Sequence, residues 1–477
     1  MSVVQPLPSQ TALLQSAAHH PGGRALVIDA VLWTTFQGES DALARAMAET
    51  LAETETAGVG AVLAPDGSVR LVAADRAPVT VRAFGDEDEL RRWRARGALA
   101  LDGGPLVRAT VVRRGSEHGV RLLAHHALLD GYSCIRLFRR LADRLAAEDA
   151  GATLPFARRG DLAALAAAAA PLRAPDPAFW AVATEGLGEP GHEIAFTDRT
   201  APPVDHPLQY RTTVPASDFL ARRSWPEEAV GTVAAYVARH LGTDVAQVGV
   251  TAALRRTALE RATPTAWVAV VPTRLAVPDD ATPVSLAGDL RRWLDAAAER
   301  IATGERPEQL LTTIPAAWRT RRVFGPVINV LPDLGLPGWS LDVTAWGPVP
   351  DCLLSVYPDR NGEVIVDGVF HPDLYDAEQA AAHVEAIAAL VPAALARPNA
   401  PLPPIPARPV DPDRVAVPGG WVSPGRLRAA LDAAGFTAEE AELRLRTPAT
   451  VVLHGVGADR VPSARAVVPP GVRVRRA

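Results

Sequence analysis

The chain has 477 residues, of which 48% are hydrophobic, and a formal net charge of −5. That length exceeds a usual single domain and predicts two domains or lobes with an ample core; the acidic balance argues against nucleic acid or an anionic membrane as partner. Its two cysteines, Cys134 and Cys352, cannot build a disulfide framework and fit a reducing cytoplasm.

No basic segment followed by an apolar core opens the chain, so no signal peptide is expected. Residues 25–33 read as a strand, and residues 41–53 as a helix with Leu43, Met47 and Leu51 on one side. The Gly58-Val59-Gly60 that follows is a turn signal and not a phosphate loop, because no polar-capped helix comes after it. An apolar run at 119–124 predicts a buried strand, which ends in His125-His126. A short loop then leads to a helix over 134–145, with Phe138, Leu141 and Leu145 on one face. Neighbours leaving a strand point to opposite sides, so only one of the two histidines is expected to face a reacting group. Asp130, four residues past His126, is placed to brace the loop, and Gly131 lets a ligand or another backbone come close. Residue types alone leave two readings open, a catalytic histidine and a satisfied core histidine; no third ligand stands at a spacing that would close a metal site.

An alanine-rich helix at 162–172 is too short and too weakly apolar to span a bilayer, and Ala174-Pro175-Asp176-Pro177 breaks the chain. In the second half Ser224-Trp225-Pro226-Glu227 reads as a capping box, opening a helix with Val230, Val233, Val237 and Leu241 inward, stopped by Gly242. Residues 267–271 read as a buried strand running into Pro272-Thr273-Arg274, and 285–303 as a helix. A hairpin, 352–357 with 363–370, turns at Asn361-Gly362, and a last core helix spans 376–395. Residues 398–424 form a proline-rich, semi-rigid linker. The tail, 425–477, carries a helix at 424–434; a remnant of an adenylation subdomain is one alternative for it, but residues 455–466 hold no catalytic lysine, and its role stays open.

His125-His126-Ala127-Leu128-Leu129-Asp130-Gly131-Tyr132-Ser133 resembles the His-His-x-x-x-Asp-Gly signature of nonribosomal peptide synthetase condensation domains, within the chloramphenicol acetyltransferase-like superfamily. Other segments agree in order. Leu7-Pro8-Ser9-Gln10-Thr11-Ala12-Leu13-Leu14 is similar to the family's opening motif without its arginine and aromatic, and Gly104-Pro105-Leu106-Val107-Arg108 to its Gly-Pro-Leu-x-Arg strand. Phe179-Trp180 is similar to the aromatic pair where the first lobe hands over to the second, and Pro272-Thr273-Arg274 to a Leu-Pro-Leu-Arg segment. Phe324-Gly325-Pro326-Val327-Ile328-Asn329-Val330-Leu331-Pro332 and His371-Pro372-Asp373-Leu374-Tyr375-Asp376 resemble motifs of the starter-type and free-standing subgroup. The resemblance covers about residues 7–397. It departs after the first long helix, where 57–62 lack the family's usual His and Arg.

The resemblance implies an α/β (α+β) fold of two chloramphenicol acetyltransferase-like lobes, 1–175 and 176–397, forming a V-shaped pseudo-dimer with the site at their interface. It implies a free-standing enzyme that transfers an acyl group from a carrier protein's phosphopantetheine thioester to an amine or alcohol, carrier-bound or free, in antibiotic or siderophore biosynthesis. No bound cofactor, no metal, no nucleic acid and no membrane partner are expected, and the location is cytoplasmic. His126, Asp130, Gly131 and Asn329 form the implied catalytic set. His125 and Arg274 support it, Arg274 as the partner of Asp130. Trp267, as core or tunnel wall, and Ser133, at the helix start, are assigned to the substrate's surroundings. Two alternatives remain: a polyketide-associated or CoA-dependent O-acyltransferase, and a non-catalytic recruitment domain. The heterocyclisation relatives are excluded, because they carry aspartates where this chain has His125 and His126.

Overall fold

The computed structural model describes all residues except 1–3, 20–23, 25, 35, 37, 158–159, 186–203, 205, 216–217, 311–324, 332–337, 348, 350, 360–361, 373, 406–414, 418–419, 423, 445–449 and 469–471. Phe324, Pro332, Asn361 and the middle of the proline-rich linker therefore lie outside the described residues.

Among the described residues, fourteen strands, in chain order, build the body. They are β1 (Val27–Thr34), β2 (Val59–Leu63), β3 (Val69–Ala73), β4 (Thr80–Phe84), β5 (Asp102–Pro105), β6 (Val107–Arg114), β7 (Glu117–His125), β8 (Leu208–Val214), β9 (Val245–Ala253), β10 (Val268–Ala276), β11 (Val327–Val330), β12 (Trp339–Trp346), β13 (Cys352–Pro358) and β14 (Val364–Phe370). The first lobe is a five-stranded sheet in the order β12-β1-β7-β6-β4, with β3-β2-β5 as a smaller sheet beside it. The helices Ser40–Ala52 and Gly131–Asp149 cover one face, where Leu43, Met47, Leu122, Phe138 and Leu141 share a core. The second lobe repeats the plan with six strands, β10-β9-β11-β13-β14-β8. Against them pack the helices Trp225–His240, Pro283–Ala302 and Ala377–Leu395, closing a core that includes Val233, Ile328, Leu354 and Val366. The fold is thus the expected pair of α/β lobes.

The lobes exchange material. Strand β12 comes from the second half of the sequence yet pairs antiparallel with β1 of the first-lobe sheet, Leu341 opposite Leu32. A division at 175/176 is therefore crossed once by the chain. In return, the loop between β9 and β10 reaches back onto the first lobe: Ser9 Oγ donates to the Ala266 carbonyl at 2.7 Å, and Gln10 Nε2 to Thr265 Oγ1 at 3.3 Å. Glu305, buried in the second lobe, accepts from Trp180 Nε1 at 2.8 Å and pairs with Arg173 at 2.6 Å, fastening the hand-over segment.

One cap differs from expectation. Ser224 stands at the start of its helix in a helical conformation and makes no cap bond; its hydroxyl donates instead to Glu228 at 2.7 Å. The capping box needs an extended Ncap, and here a short turn before the helix, Trp225 N to the Arg222 carbonyl, removes it. No described helix is long and apolar enough to cross a membrane.

Candidate active site

Strand β7 is buried from Val120 to Ala124, apolar but for Arg121, because it lies in the middle of its sheet, between β1 and β6. It carries the two histidines to the end of the strand. His125 N–H donates to the Leu106 carbonyl and His126 N–H to the Leu26 carbonyl, at 2.9 and 2.8 Å, so both residues are anchored to flanking strands. The chain then folds tightly, with Leu128 and Leu129 N–H donating to the His125 carbonyl.

The two imidazoles differ. His125 is buried, and its Nδ1 accepts from Ala127 N–H at 3.2 Å, which leaves the ring proton on Nε2. Burial and the neighbouring His126 draw its pKa down to about 4. His126 keeps partial exposure, while its Nδ1 is buried without a hydrogen-bond partner among the described residues. Burial lowers its pKa too, so the ring is neutral near pH 7. Gly347, just past β12, lies against it with φ of +99°. A Cβ at Gly347 would stand 2.2 Å from His126 Cδ2, so any side chain there would displace the ring.

Asp130 caps the helix Gly131–Asp149, accepting from Ser133 N–H at 2.8 Å. Its second oxygen accepts from Trp267 N–H at 2.8 Å and from Arg255 at 2.8 Å. Arg255 also donates to Ser133 Oγ and to the Thr265 and Trp267 carbonyls, and its guanidinium lies 4.5 Å from the centre of the Tyr132 ring. Asp130 and Ser133 are buried, the Arg255 side chain is 2% exposed, and every partner beyond residue 250 belongs to the β9–β10 loop.

Three expectations are corrected here. Arg274 does not pair with Asp130; it sits exposed on β10, 3.5 Å from Glu185. Trp267, immediately before that strand, touches Asp130, so Arg274, seven residues on, is roughly 23 Å further along. Ser133 does not line a substrate path: fully buried, its hydroxyl donates to the Thr265 carbonyl and accepts from Thr265 N–H. Trp267 presents its backbone to Asp130 while its ring packs with Leu7 and Leu165.

Asn329 lies in β11, between β9 and β13, opposite Ser355. Its neighbour Ile328 points into the core, so alternation turns Asn329 to the other face. Asn329 is mostly buried yet makes no side-chain hydrogen bond among the described residues, and Ser355 Oγ likewise has no partner there. Leu331, two residues beyond Asn329, approaches Gly131: a Cβ on Gly131 would meet only Leu331 Cδ2, at 3.8 Å. The end of β11 thus reaches the histidine loop, with Leu331 in ordinary van der Waals range of Gly131. Trp346 Nε1, buried and unpartnered among the described residues, lies on the same side, its ring 5.8 Å from Tyr357.

Arg255, Gly347 and Ser355 were not singled out by sequence reasoning. Arg255 follows a strand in an Arg255-Arg256 pair, which marks neither as buried. Gly347 carried a usable signal, since Gly347-Pro348 opens a hairpin. Among the described residues no three His, Cys, Asp or Glu side chains group as metal ligands.

No family model and no curated protein matches the chain. Solved structures do. The first condensation domain of the calcium-dependent antibiotic synthetase, in complex with a substrate analogue, has a TM-score of 0.71 at 21% identity, covering 84% of this chain and 98% of that one. The starter condensation domain of rhizomide synthetase, in complex with C8-CoA and Leu-SNAC, has a TM-score of 0.70 at 19% identity, covering 84% and 96%. The chain has the condensation-domain fold.

Proposed function

We propose that this protein is a condensation-type acyltransferase, which moves an acyl group from a phosphopantetheine thioester on a carrier protein to an amine or hydroxyl acceptor. The observation that carries the reading is His126: a neutral imidazole on a loop that the second half of the chain braces through Arg255 and approaches through Leu331. In the reaction, the acceptor's nitrogen or oxygen attacks the thioester carbonyl while the free imidazole nitrogen of His126 takes its proton. The tetrahedral adduct then expels the thiolate, and the imidazolium returns the proton to sulfur. A base whose pKa lies at or below neutrality suits both steps. Asn329 offers an amide N–H to the carbonyl oxygen as charge develops. Asp130 and Arg255 touch no reacting atom; they hold the loop that aims the ring. C8-CoA, found in the rhizomide structure, ends in the same phosphopantetheine arm, so a CoA thioester is a second donor with the same chemistry. The intact histidine loop speaks against a recruitment role.

The test is single-turnover acyl transfer from an octanoyl carrier and from octanoyl-CoA to leucine and other amine and alcohol acceptors, in wild type, His126→Ala and Asn329→Ala. Loss of ~10²–10⁴ in rate for His126→Ala is the expected signature of acid–base catalysis. A loss of only severalfold would assign His126 to positioning, since a thioester held beside an amine reacts by orientation alone. Equal rates would remove the catalytic reading.

A further inference from the structure

The tail is a module with its own core. Its helices Pro424–Ala433 and Val461–Val467 lie beside a three-stranded sheet ordered Ala441–Arg444, Thr450–Leu453, Arg473–Arg476. Leu427, Leu431, Phe436, Val451, Leu453 and Ala464 form a cluster drawn from the tail alone. None of the motifs that build the acyl-transfer site lies in it.

Its charge opposes that of the body. Residues 425–477 hold nine arginines against five acidic residues, +4, which leaves −9 on the rest of a chain whose total is −5. Three of these arginines are matched: Arg428 with Asp432, Arg444 with Glu442, Arg460 with Glu440. Arg473, Arg475 and Arg476 are exposed and have no carboxylate partner among the described residues. They occupy a sheet edge. Arg473–Arg476 runs parallel to Thr450–Leu453 on one side and pairs with no described strand on the other. Val474 packs towards the cluster, so Arg473 and Arg475 stand together on the opposite face.

We propose that this edge docks an extended, carboxylate-rich protein segment, which adds as a fourth strand beside Arg473–Arg476 and pairs its acidic side chains with Arg473 and Arg475. Two features select this occupant. An open edge offers backbone N–H and C=O groups that another extended backbone satisfies in register, and alternate side chains then meet at the two-residue repeat that separates Arg473 from Arg475. A nucleic acid cannot complete that ladder, and Phe436, the one phenyl, phenol or indole ring among the module's described residues, is buried beneath Arg460 and unavailable for base stacking. Charges on an edge also serve simply to prevent strand-to-strand aggregation. That simpler role predicts no bound peptide.

The proposal does not rest on the acyl-transfer reading, and its test needs no substrate. Fluorescence anisotropy with the full chain would follow a labelled Glu-Val-Glu-Val-Glu-Val-Glu peptide, the same peptide N-methylated at alternate residues, and a single-stranded oligonucleotide of equal charge. Wild type should bind the first peptide, and about tenfold more weakly after Arg473→Glu with Arg475→Glu. N-methylation should weaken it comparably, because attraction between charges alone ignores backbone N–H groups. Arg465→Glu, on the helix, should change binding little. Absence of wild-type binding, indifference to the paired substitution or to N-methylation, or equal binding of the oligonucleotide would each overturn the proposal. Unchanged melting temperature in the paired variant checks that the module is intact.

Discussion

Asp29 and Asp130 are both buried carboxylates of the first lobe, yet they are held in opposite ways. Asp29, in the middle of its sheet, is met by Arg121 through two bonds of 3.0 and 2.7 Å, by Arg24 at 3.1 Å and by Arg94 at 3.3 Å. Burial pushes its pKa up, and the three guanidiniums outweigh burial and hold it below the usual carboxylate range. Arg94 continues to Asp342 on β12, which Arg211 links to Asp367 in the second lobe. Asp130 is met by one arginine, and that arginine comes from the second half of the chain. The scaffold is held redundantly from within the lobe; the loop that aims His126 is held from across the lobe boundary. A shift of the β9–β10 loop would therefore move the histidine loop while leaving the sheet beneath it unchanged.

Breaking the redundant site should cost most, because everything there converges on one carboxylate. Removing one partner of a buried pair typically costs ~3–5 kcal/mol, and Asp29→Ala strands three arginines at once. The expected outcome is loss of soluble protein or the lowest melting temperature of the series; a wild-type melting temperature would contradict the convergence. Arg255→Ala comes next. Asp130 keeps its bonds from Ser133 and Trp267 N–H, which places the cost near the lower end of that range, ~3 kcal/mol. Transfer rate should fall with stability, and Asp130→Ala with Arg255→Ala should cost less than the sum of the two single losses, because the two share one interaction. Additive losses would show that they do not act as a pair.

Acid separates the regions further. In the unfolded chain a histidine titrates near 6.5, whereas His125 in the fold titrates at about 4. Between these values the unfolded state takes up a proton that the folded state refuses, so stability falls as pH drops from about 6.5 towards 4, by up to ~3 kcal/mol. His126, also lowered by burial, adds in the same direction. Asp29 acts later: its depressed pKa contributes stability that is lost only as pH falls below the ordinary carboxylate range. Urea unfolding at pH 7.5, 6 and 5 should show the early loss, and His125→Gln should flatten it. A midpoint independent of pH across that interval would show that His125 protonates as freely folded as unfolded.

The elements that carry the site were legible because local patterns specify them. An apolar run ending in two histidines, then Asp130 and an amphipathic stretch, yields a strand, a cap and a helix wherever the chain goes. What the pattern could not reveal was partnership over long separations. Arg255 and Arg274 are both arginines near one strand hairpin, and only the docking of the β9–β10 loop on Ser9, Gln10 and Ser133 decides which is buried. Likewise nothing within the eight residues Trp339–Trp346 says that they form a strand of the first-lobe sheet. The two lobes were legible; the exchange between them was not.

The smallest effect should come from Arg24→Ala, and it sharpens the comparison most directly. Arg24 donates to Asp29 and, beyond it, to the Arg94 and Gly97 carbonyls and Thr344 Oγ1. Losing a hydrogen bond to a charged group costs ~1.5–3 kcal/mol when nothing replaces it. Here Arg121 and Arg94 remain on the same carboxylate, so Asp29 is not left bare. The linked set also holds four arginines (24, 94, 121 and 211) against three aspartates (29, 342 and 367). Removing Arg24 therefore brings the buried charges into balance, and relieves the desolvation that already draws its own pKa down. The expected loss is ~1 kcal/mol, a few degrees of melting temperature at most, with no change in transfer rate. A loss as large as that of Arg255→Ala would mean that the three arginines act as one unit, and the contrast between a redundant scaffold and a singly held loop would fail.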